Sequence, residues 1–286
     1  MGISFKSVSH LYPTNKRKVY TVALENINLN INANDEFVSL VGKTGSGKST
    51  LMEHMNALLL PTSGEVKIFD NVITGNKNKN PKLKEVRKKV GFVFQFPEYQ
   101  LFEETVLKDI MFAPKNFGFT EEEAKEKSLE VAKILKIDDT ILSKSPFDLS
   151  GGQMRKVAIA GILAYDPEII LLDEPTRGLD PKTADEIMDL FYDIHKKYHK
   201  TIVLISHDMN IVYKYSTRVV AMKGSNITYD GDKITLFKTD IYQQNHLAKP
   251  DVLKMIDYLN EKMQYDLDYD CFDEQELIQK VVSLHE

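Results

Sequence analysis

A glycine-rich loop between an apolar run and a helical repeat constrains the fold of this chain more than any other feature. Residues 37–41 form a mostly apolar run that stops at Gly42, as a buried parallel strand does. Gly42, Gly47, Lys48 and Ser49 then have the spacing G-x-x-x-x-G-K-S. Because a strand precedes the loop and a helical pattern follows it, the loop has the context in which such loops cradle phosphate groups.

This loop supplies the candidate ligands of ATP. Its glycines let successive backbone N–H groups point at the β-phosphate, and the helix N-terminus adds partial positive charge. We expect Lys48 to bridge the β- and γ-phosphates and Ser49 to hold Mg²⁺. The predicted ATP-binding residues of this segment are Gly42, Lys43, Thr44, Gly45, Ser46, Gly47, Lys48, Ser49 and Thr50.

A second apolar run ends in two acidic residues. Residues 169–172 are Ile-Ile-Leu-Leu, and Asp173 and Glu174 follow directly. A buried strand of this kind delivers the acids to the carboxyl edge of a sheet, where α/β proteins bind ligands. We expect Asp173 to contact Mg²⁺ and Glu174 to act as a general base on the attacking water.

The alternation of apolar runs and helical repeats predicts an α/β fold with a parallel sheet. Strand patterns cover much of residues 3–41, and residues 201–205 form a third buried run. A helical repeat begins at Ser49 and is predicted to end at Pro61. Residues 96–165 are predicted to be mostly helical. We assign residues 1–239 to one nucleotide-binding domain that contains this helical subdomain.

The last part of the chain has a different composition and is predicted to form a small helical extension, residues 240–286. Residues 251–286 contain ten acidic residues and three lysines. Two amphipathic helices are predicted, the second opened by a capping pair at Asp273 and Glu276. Their apolar residues are Val252, Ile256, Leu259 and Met263 in the first, and Leu277, Ile278, Val281 and Val282 in the second.

Composition and charge exclude several classes of protein. The net charge of −5 argues against non-specific nucleic-acid binding. No run of 18 apolar residues occurs, so no membrane span is predicted, and residues 1–10 lack the pattern of a secretory signal. The single cysteine, Cys271, fits a reducing compartment. The basic stretch at residues 75–89 is either a solvated loop leading into a helix or a patch for anionic lipid or nucleic acid.

A third motif makes the chain recognisable. The segment Leu149, Ser150, Gly151, Gly152, Gln153 resembles the signature of ATP-binding-cassette (ABC) ATPases. This resemblance implies a fold with a P-loop core, N-terminal antiparallel strands and a helical signature subdomain. It also implies that the signature contacts ATP held by an opposite, head-to-tail subunit. A hydroxyl, bare glycine N–H groups and a helix predicted to begin at Met154 suit that role.

The same resemblance assigns further residues. Gln95 matches the glutamine that senses γ-phosphate and Mg²⁺, and His207 matches the switch histidine that contacts the γ-phosphate. Asp180 lies in the loop that communicates across the dimer. Tyr12 lies where the family places an aromatic ring against adenine, the alternative being a core or surface tyrosine. Arg177 stands where a small residue is common.

Within the family, residues 94–106 and 153–161 resemble the ATPases of energy-coupling factor (ECF) transporters, and residues 175–181 the second of their two ATPase types. The resemblance implies ATP and Mg²⁺ as ligands and import of vitamins or metal ions. It implies as partners a second similar ATPase, a transmembrane coupling subunit and a substrate-binding membrane subunit. The chain would then be peripheral, on the cytoplasmic face of the membrane, with its C-terminal extension helping to join the two ATPases.

Two other functions remain open on the sequence. One is the ATPase of an importer with a separate binding protein, which the partner set would distinguish. The other is a soluble ABC ATPase acting on ribosomes or DNA, although the chain has one cassette and no sustained heptads. For the ECF function we expect the coupling subunit to dock near Gln95, with Glu98, Glu103 and Glu104 meeting its basic residues.

Overall fold

The computed structural model describes residues 2–14, 19–80 and 83–285. Two β-sheets run through its core, and helices surround the larger one. The strands are β1 (Ile3–Pro13), β2 (Tyr20–Ile31), β3 (Phe37–Val41), β4 (Ser63–Ile68), β5 (Asn71–Ile73), β6 (Val90–Val93), β7 (Ile169–Asp173), β8 (Thr201–Ile205), β9 (Arg218–Lys223) and β10 (Asn226–Gly231).

Helices account for most of the remaining chain. They are α1 (Lys48–Met55), α2 (Leu83–Lys89), α3 (Val106–Asn116), α4 (Glu121–Ile134), α5 (Gly151–Leu163), α6 (Pro181–Tyr198), α7 (Met209–Tyr215), α8 (Lys233–Lys238), α9 (Ile241–Gln244), α10 (Asp251–Met263) and α11 (Glu274–Ser283). Short 3₁₀ turns span Lys77–Lys79, Pro97–Gln100, Asp139–Ile141 and Pro146–Asp148.

The six-stranded sheet has the order β10-β9-β3-β8-β7-β6. Its strands are parallel except β10, which pairs antiparallel with β9. Side chains alternate between its two faces: Leu171 and Val203 pack against α1 and the N-terminal sheet, whereas Leu172 and Leu204 pack against α5 and α6. Both faces are therefore buried, as in other parallel sheets.

The N-terminal sheet is antiparallel, with the order β2-β1-β4-β5. Irregularities interrupt the pairing of β1 with β2, where Ser7 and Asn26 have positive φ angles. This sheet covers one face of the larger sheet and places the end of β1 beside α1. The predicted architecture, a parallel core with N-terminal antiparallel strands and a mostly helical stretch between residues 96 and 165, is the one observed.

The prediction that the first helix continues to Pro61 is wrong. Helix α1 ends at Met55, and Ala57 has a left-handed φ of 56°. The side chain of Asn56 accepts a hydrogen bond from the backbone N–H of Leu58 at 3.1 Å. Asparagine side chains compete with the helical backbone in this way, so the helix stops although the apolar repeat continues.

The basic stretch at residues 75–89 leads into helix α2, as the first of its two interpretations predicts. Three of its cations bind groups of this chain: Arg87 donates to the Ala57 carbonyl, Lys88 to the Phe117 carbonyl, and Lys89 lies 3.3 Å from Glu168. Lys82 and the side chain of Lys79 lie outside the described residues. The cations that are described at the end of the stretch therefore serve the fold.

The two C-terminal helices form, but their apolar residues are only partly buried. Val252, Ile256 and Leu277 are buried beside α7 and α8. The side chain of Asp273 caps α11, while Glu276 accepts from the N–H of Phe272 rather than Asp273. The following apolar side chains are exposed: Met255, Tyr258, Met263, Ile278, Val282 and Leu284. The division of the chain near residue 240 stays a prediction.

Among the described residues, no helix is both long enough and apolar enough to cross a bilayer.

Candidate nucleotide site

Four neighbouring strands end at one edge of the large sheet and carry the predicted site residues. The loop after β3 is the phosphate loop, residues 42–47. Gln95 follows β6, Glu174 follows β7 and His207 follows β8. The loops after β3, β7 and β8 line a cleft of about 730 Å³, whereas Gln95 is not among its lining residues. The predicted residues that line it are Tyr12, Thr44, Gly45, Gly47, Lys48, Ser49, Thr50, Glu174 and His207.

The phosphate loop is held in shape by Lys48. Its side chain is only 5% exposed and donates hydrogen bonds to the carbonyls of Gly42 at 2.7 Å and Lys43 at 3.0 Å. Burial lowers the pKa of Lys48, whereas the carboxylates of Glu174 and Asp173 act to raise it. A buried ammonium at a glycine-rich loop that opens a helix can bind an anion such as phosphate.

Two features of the loop fit the phosphates of ATP. Gly47, immediately before α1, has a φ of 105°, and a Cβ there would lie 2.4 Å from the Ala23 carbonyl oxygen. Only glycine fits, so the backbone can turn tightly into the helix. The buried hydroxyl of Ser46 has no hydrogen-bond partner among the described residues. A buried donor without a partner is costly and would be satisfied by a phosphate oxygen.

Oxygen donors for Mg²⁺ lie next to the loop. Burial raises the pKa of Asp173, and a hydrogen bond from the Ser49 hydroxyl opposes that shift. Gln95 is half-buried and contacts Glu174. Mg²⁺ takes one or two protein carboxylates together with phosphate and water oxygens, so this donor set fits it. The assignment of Ser49, Gln95 and Asp173 as metal ligands stays a prediction.

Glu174 is the centre of the site. Its carboxylate accepts from Gln95 Nε2 at 3.2 Å and from Arg177 Nη1 at 2.9 Å, and His207 Nε2 lies 3.2 Å from the other oxygen. Glu174 has a φ of 48°, an uncommon value for a residue other than glycine. Its N–H donates to the Ile205 carbonyl. The structure thus brings Gln95, Glu174 and His207 together, as predicted.

The contact of Arg177 with Glu174 is new information that sequence reasoning missed. The sequence marks Arg177 only as a departure from the common small residue. In the structure its guanidinium lines the cleft and is 58% exposed, and its ion pair spans three residues of a tight turn. The spacing of three residues between the acid and the arginine was the available signal.

The signature segment lies outside the cleft. Ser150 caps α5: its hydroxyl accepts from the N–H of Gln153, and the Gln153 side chain accepts from the N–H of Ser150. The prediction that the helix begins at Met154 is wrong, because this reciprocal capping starts it at Gly151. Ser150, Gly151 and Gln153 are exposed at the helix start, with Leu149 and Gly152 half-buried. Exposure outside the cleft suits a role in trans, which stays a prediction.

Asp180 is the N-cap of helix α6. Its carboxylate accepts from the Thr183 N–H at 3.1 Å and from the Thr183 hydroxyl at 2.7 Å. The residue is exposed at the end of the loop that starts at Glu174. A helix cap of this kind fixes the end of the loop, which is consistent with the predicted role in communication across a dimer.

Tyr12 is backed by two histidines. Its ring is 37% exposed at the cleft, and its hydroxyl lies 3.4 Å from the Thr50 hydroxyl. The His10 ring contacts both the Tyr12 ring and the His54 ring edge-on, with centroids 4.6 and 4.8 Å apart. An exposed ring supported from behind can stack on a base. The predicted contact of Tyr12 with adenine is compatible with this position and stays a prediction.

Burial of His54 makes the stability of the fold depend on pH. Burial lowers the pKa of His54 to about 4, below the value of about 6.5 for a free imidazole. The unfolded chain therefore binds more protons between these pH values, and the stabilisation present above pH 6.5 is lost as the pH falls towards 4. We expect this residue to contribute a loss of about 2 kcal/mol in the free energy of unfolding from pH 7 to pH 5.

Urea denaturation of the parental chain and of His54→Leu at both pH values measures this term. The variant should lose about 2 kcal/mol less than the parent. His246→Gln, which replaces an exposed histidine, is the matched control for the loss of an imidazole. An equal loss in His54→Leu and the parent would contradict the prediction.

The prediction that Glu98 meets a basic residue of the coupling subunit is wrong. The Glu98 carboxylate points inward and binds the guanidinium of Arg155 through two hydrogen bonds, at 2.9 and 2.8 Å. Glu98 therefore cannot meet a basic partner residue. Glu104 is exposed and bound to Lys108. Four aromatic side chains on and near the segment after Gln95 are exposed: Phe96, Tyr99, Phe102 and Phe112.

Comparison with known proteins agrees with this geometry. The model of the ABC transporter family matches residues 24–177. The energy-coupling factor transporter ATP-binding protein EcfA2 of Ligilactobacillus salivarius is 47% identical over 246 residues, 86% of this chain and 84% of that protein. The protein of the same name from Listeria welshimeri is 44% identical over 284 residues, 97% of this chain and 96% of that protein.

Solved structures give the same result. cbiO1 from Clostridium perfringens, part of the ABC transporter complex cbiONQ, is 30% identical with a TM-score of 0.73, covering 92% of this chain and 95% of that one. The ATP-binding cassette MJ0796, in a dimeric post-hydrolysis state with ADP and Pi, is 33% identical with a TM-score of 0.70, covering 80% of this chain and 98% of that one. The chain belongs to the ABC transporter family and, within it, to the energy-coupling factor transporter ATP-binding proteins.

Proposed function

We propose that this chain is the ATP-hydrolysing subunit of an energy-coupling factor importer and powers uptake of vitamins or transition-metal ions. The observation that carries the proposal is the arrangement around Glu174. Its carboxylate faces the cleft beside Lys48 and contacts both Gln95 and His207. A general base, a phosphate-binding ammonium and two polar sensors at one sheet edge form a constellation suited to phosphoryl transfer to water.

The proposed reaction assigns one role to each residue. The loop N–H groups and Lys48 bind the phosphates of ATP. Mg²⁺ held by Ser49, Asp173 and Gln95 would neutralise charge on the phosphate oxygens. Glu174 takes a proton from the attacking water, whose oxygen bonds to the γ-phosphorus. The bond from the γ-phosphorus to the bridging oxygen breaks, which gives ADP and phosphate. His207 contacts the γ-phosphate.

The proposed site is completed by a second, similar ATPase. Ser150 and Gly151 are exposed outside the chain's own cleft, where they can reach ATP bound by a head-to-tail partner. The bare N–H groups at the start of α5 favour an anion. We assign the partner as a different ATPase of the same family, so that the pair is a heterodimer, and the C-terminal extension as a contact between the two.

The proposed docking surface for the membrane coupling subunit is the segment of residues 96–112. Tyr99 is 84% exposed and Phe102 is 55% exposed. Exposed aromatic side chains grouped on one segment mark interaction sites more than isolated ones do. Docking there would hold this chain at the cytoplasmic face of the membrane as a peripheral subunit, while a separate membrane subunit binds the cargo.

Affinity purification of the tagged chain from mildly solubilised membranes, followed by mass spectrometry, tests the proposal. We expect a second similar ATPase and two integral membrane proteins, one of which identifies the cargo. Recovery with a conventional permease pair would point instead to an importer with a separate binding protein. Recovery only with ribosomal or DNA-bound proteins would contradict a transport function and leave the ATPase chemistry.

Charge reversal on the docking surface gives a more local prediction. Replacing Glu103 and Glu104 together by lysine should lower the yield of copurified coupling subunit about tenfold, because opposite charges at an interface become repulsive. Binding of ATP should stay within about twofold, since surface changes away from the site have small effects. Reversal of the exposed pair Glu122 and Glu126 on α4 is the matched control. Unchanged copurification in the docking variant would contradict this surface.

A further inference from the structure

One buried arginine joins three functional segments of the chain. Arg155 lies on α5, two residues after the signature, and its side chain is 3% exposed. Its Nε and Nη2 atoms donate to the two carboxylate oxygens of Glu98 at 2.9 and 2.8 Å. Glu98 belongs to the turn Pro97–Gln100. The signature helix and the docking surface are therefore connected by a bidentate ion pair.

The remaining nitrogen of the same guanidinium reaches the loop that follows Glu174. Nη1 donates to the carbonyl oxygens of Pro175 at 3.2 Å and Arg177 at 3.0 Å. The Arg177 side chain in turn holds the Glu174 carboxylate at 2.9 Å. A displacement of Glu98 relative to this loop must therefore either stretch hydrogen bonds of Arg155 or move the backbone next to Glu174.

The energetics favour a positional role for this arginine over a simple stabilising one. Burying two charges costs several kcal/mol each, which their attraction offsets only with good geometry and further hydrogen bonds. Arg155 meets these conditions through four hydrogen bonds to three groups. A planar guanidinium makes such contacts in fixed directions, which the single point charge of a lysine does not.

We propose that Arg155 is a positioning residue that couples residues 97–100 of the docking surface to the loop of residues 174–180. The inference rests on the proposed docking of a membrane subunit at this surface. Movement of the docked subunit would shift Glu98, and Arg155 would pass that shift to the backbone beside Glu174. ATP bound in the cleft would act on residues 97–100 through the same contacts.

The test uses two conservative variants that keep the buried charges balanced. Arg155→Lys replaces the planar guanidinium by a single ammonium, and Glu98→Asp shortens the acidic side chain by one methylene group. Glu130→Asp makes the same change in an exposed ion pair with Lys127 on α4, away from the docking surface, and serves as the control. Each chain is purified in its complete complex with the membrane subunits. Hydrogen exchange at residues 97–100 and 174–180 is measured with and without ATP and Mg²⁺, together with the rate of ATP hydrolysis.

In the parental complex and in Glu130→Asp, ATP should change exchange in both segments. In Arg155→Lys and Glu98→Asp, it should still change exchange at residues 174–180. The response at residues 97–100 should fall about tenfold, within the range by which single residues alter coupling. Because neither residue touches the nucleotide cleft, ATP hydrolysis should stay within about threefold of the parental rate.

Three results would overturn the inference. Both variants could match the parent in both segments, which would show that the contact carries no coupling. They could lose ATP hydrolysis and thermal stability in parallel, which would show that Arg155 only holds the fold. A parental chain that forms no complex with membrane proteins would overturn the importer function and the inference with it, whereas the first two results leave that function intact.

Discussion

Replacement of Glu174 by glutamine should lower the kcat for ATP hydrolysis by about 10²- to 10⁴-fold, the usual contribution of a general base. The substitution keeps the shape of the side chain and one acceptor oxygen, so the contacts with Gln95 and His207 can persist. The amide cannot take a proton from water. ATP should still bind, because the phosphate loop and Lys48 are unchanged. Bound ATP that is not hydrolysed should hold the two ATPases closed.

The measurements are steady-state ATP hydrolysis and size-exclusion chromatography of the ATPase pair with ATP and Mg²⁺. Glu168→Gln is the matched control. Glu168 lies directly before β7, at the opposite end of the strand from Glu174, and its carboxylate pairs with Lys89 at 46% exposure. Its loss should change the rate by less than about twofold. Hydrolysis by Glu174→Gln at the parental rate would show that another group accepts the proton.

Sequence motifs can locate one edge of the sheet because parallel strands bring their carboxyl ends together. The predicted buried runs before Gly42, Glu174 and His207 place these three residues at one edge, whatever the length of chain between them. The order of strands and loops was therefore enough to predict that these motifs meet. The strand before Gln95, β6, was not predicted, and Gln95 was assigned by resemblance alone. The family comparisons confirm the fold and the family, and the roles of the individual residues stay predictions.

Contacts between distant segments were beyond sequence reasoning. Glu98 was predicted to face a partner because a glutamate in a polar segment is usually exposed, yet it is 13% exposed against Arg155. That pairing joins residues 57 positions apart, and no local pattern reports it. The prediction that α1 ends at Pro61 was wrong for a different reason. The side-chain hydrogen bond of Asn56 ends the helix although the apolar repeat continues.

The partial burial of the C-terminal helices could not be predicted for a third reason. Amphipathic spacing indicates that a helix has an apolar stripe but does not say whether this chain or another one covers it. Val252 and Leu277 are covered within the chain, whereas Met263 and Ile278 are not. The exposed part of the stripe is the surface available to the proposed ATPase partner.

Replacement of Lys48 by alanine should weaken ATP binding by at least about tenfold, equivalent to about 1.4 kcal/mol. A hydrogen bond to a charged group contributes about 1.5–3 kcal/mol when buried, and Lys48 is 5% exposed at the loop. Without ATP its ammonium is satisfied by the carbonyls of Gly42 and Lys43. When ATP binds, the ammonium exchanges these hydrogen bonds for contacts with phosphate, so its net contribution to ATP binding is smaller than that of a buried charge with no other partner.

The matched control removes an equal charge from the same loop. Lys43 belongs to the predicted phosphate loop, whose backbone N–H groups an alanine retains. Its side chain is exposed and therefore screened, so Lys43→Ala should weaken ATP binding by less than about threefold. Equilibrium titration with ATP and Mg²⁺ compares the two variants with the parent. If binding depends on the buried ammonium, only Lys48→Ala is strongly affected and added salt changes its deficit little. Equal losses in the two variants, both abolished by salt, would instead mean that the loop attracts ATP through its net charge alone.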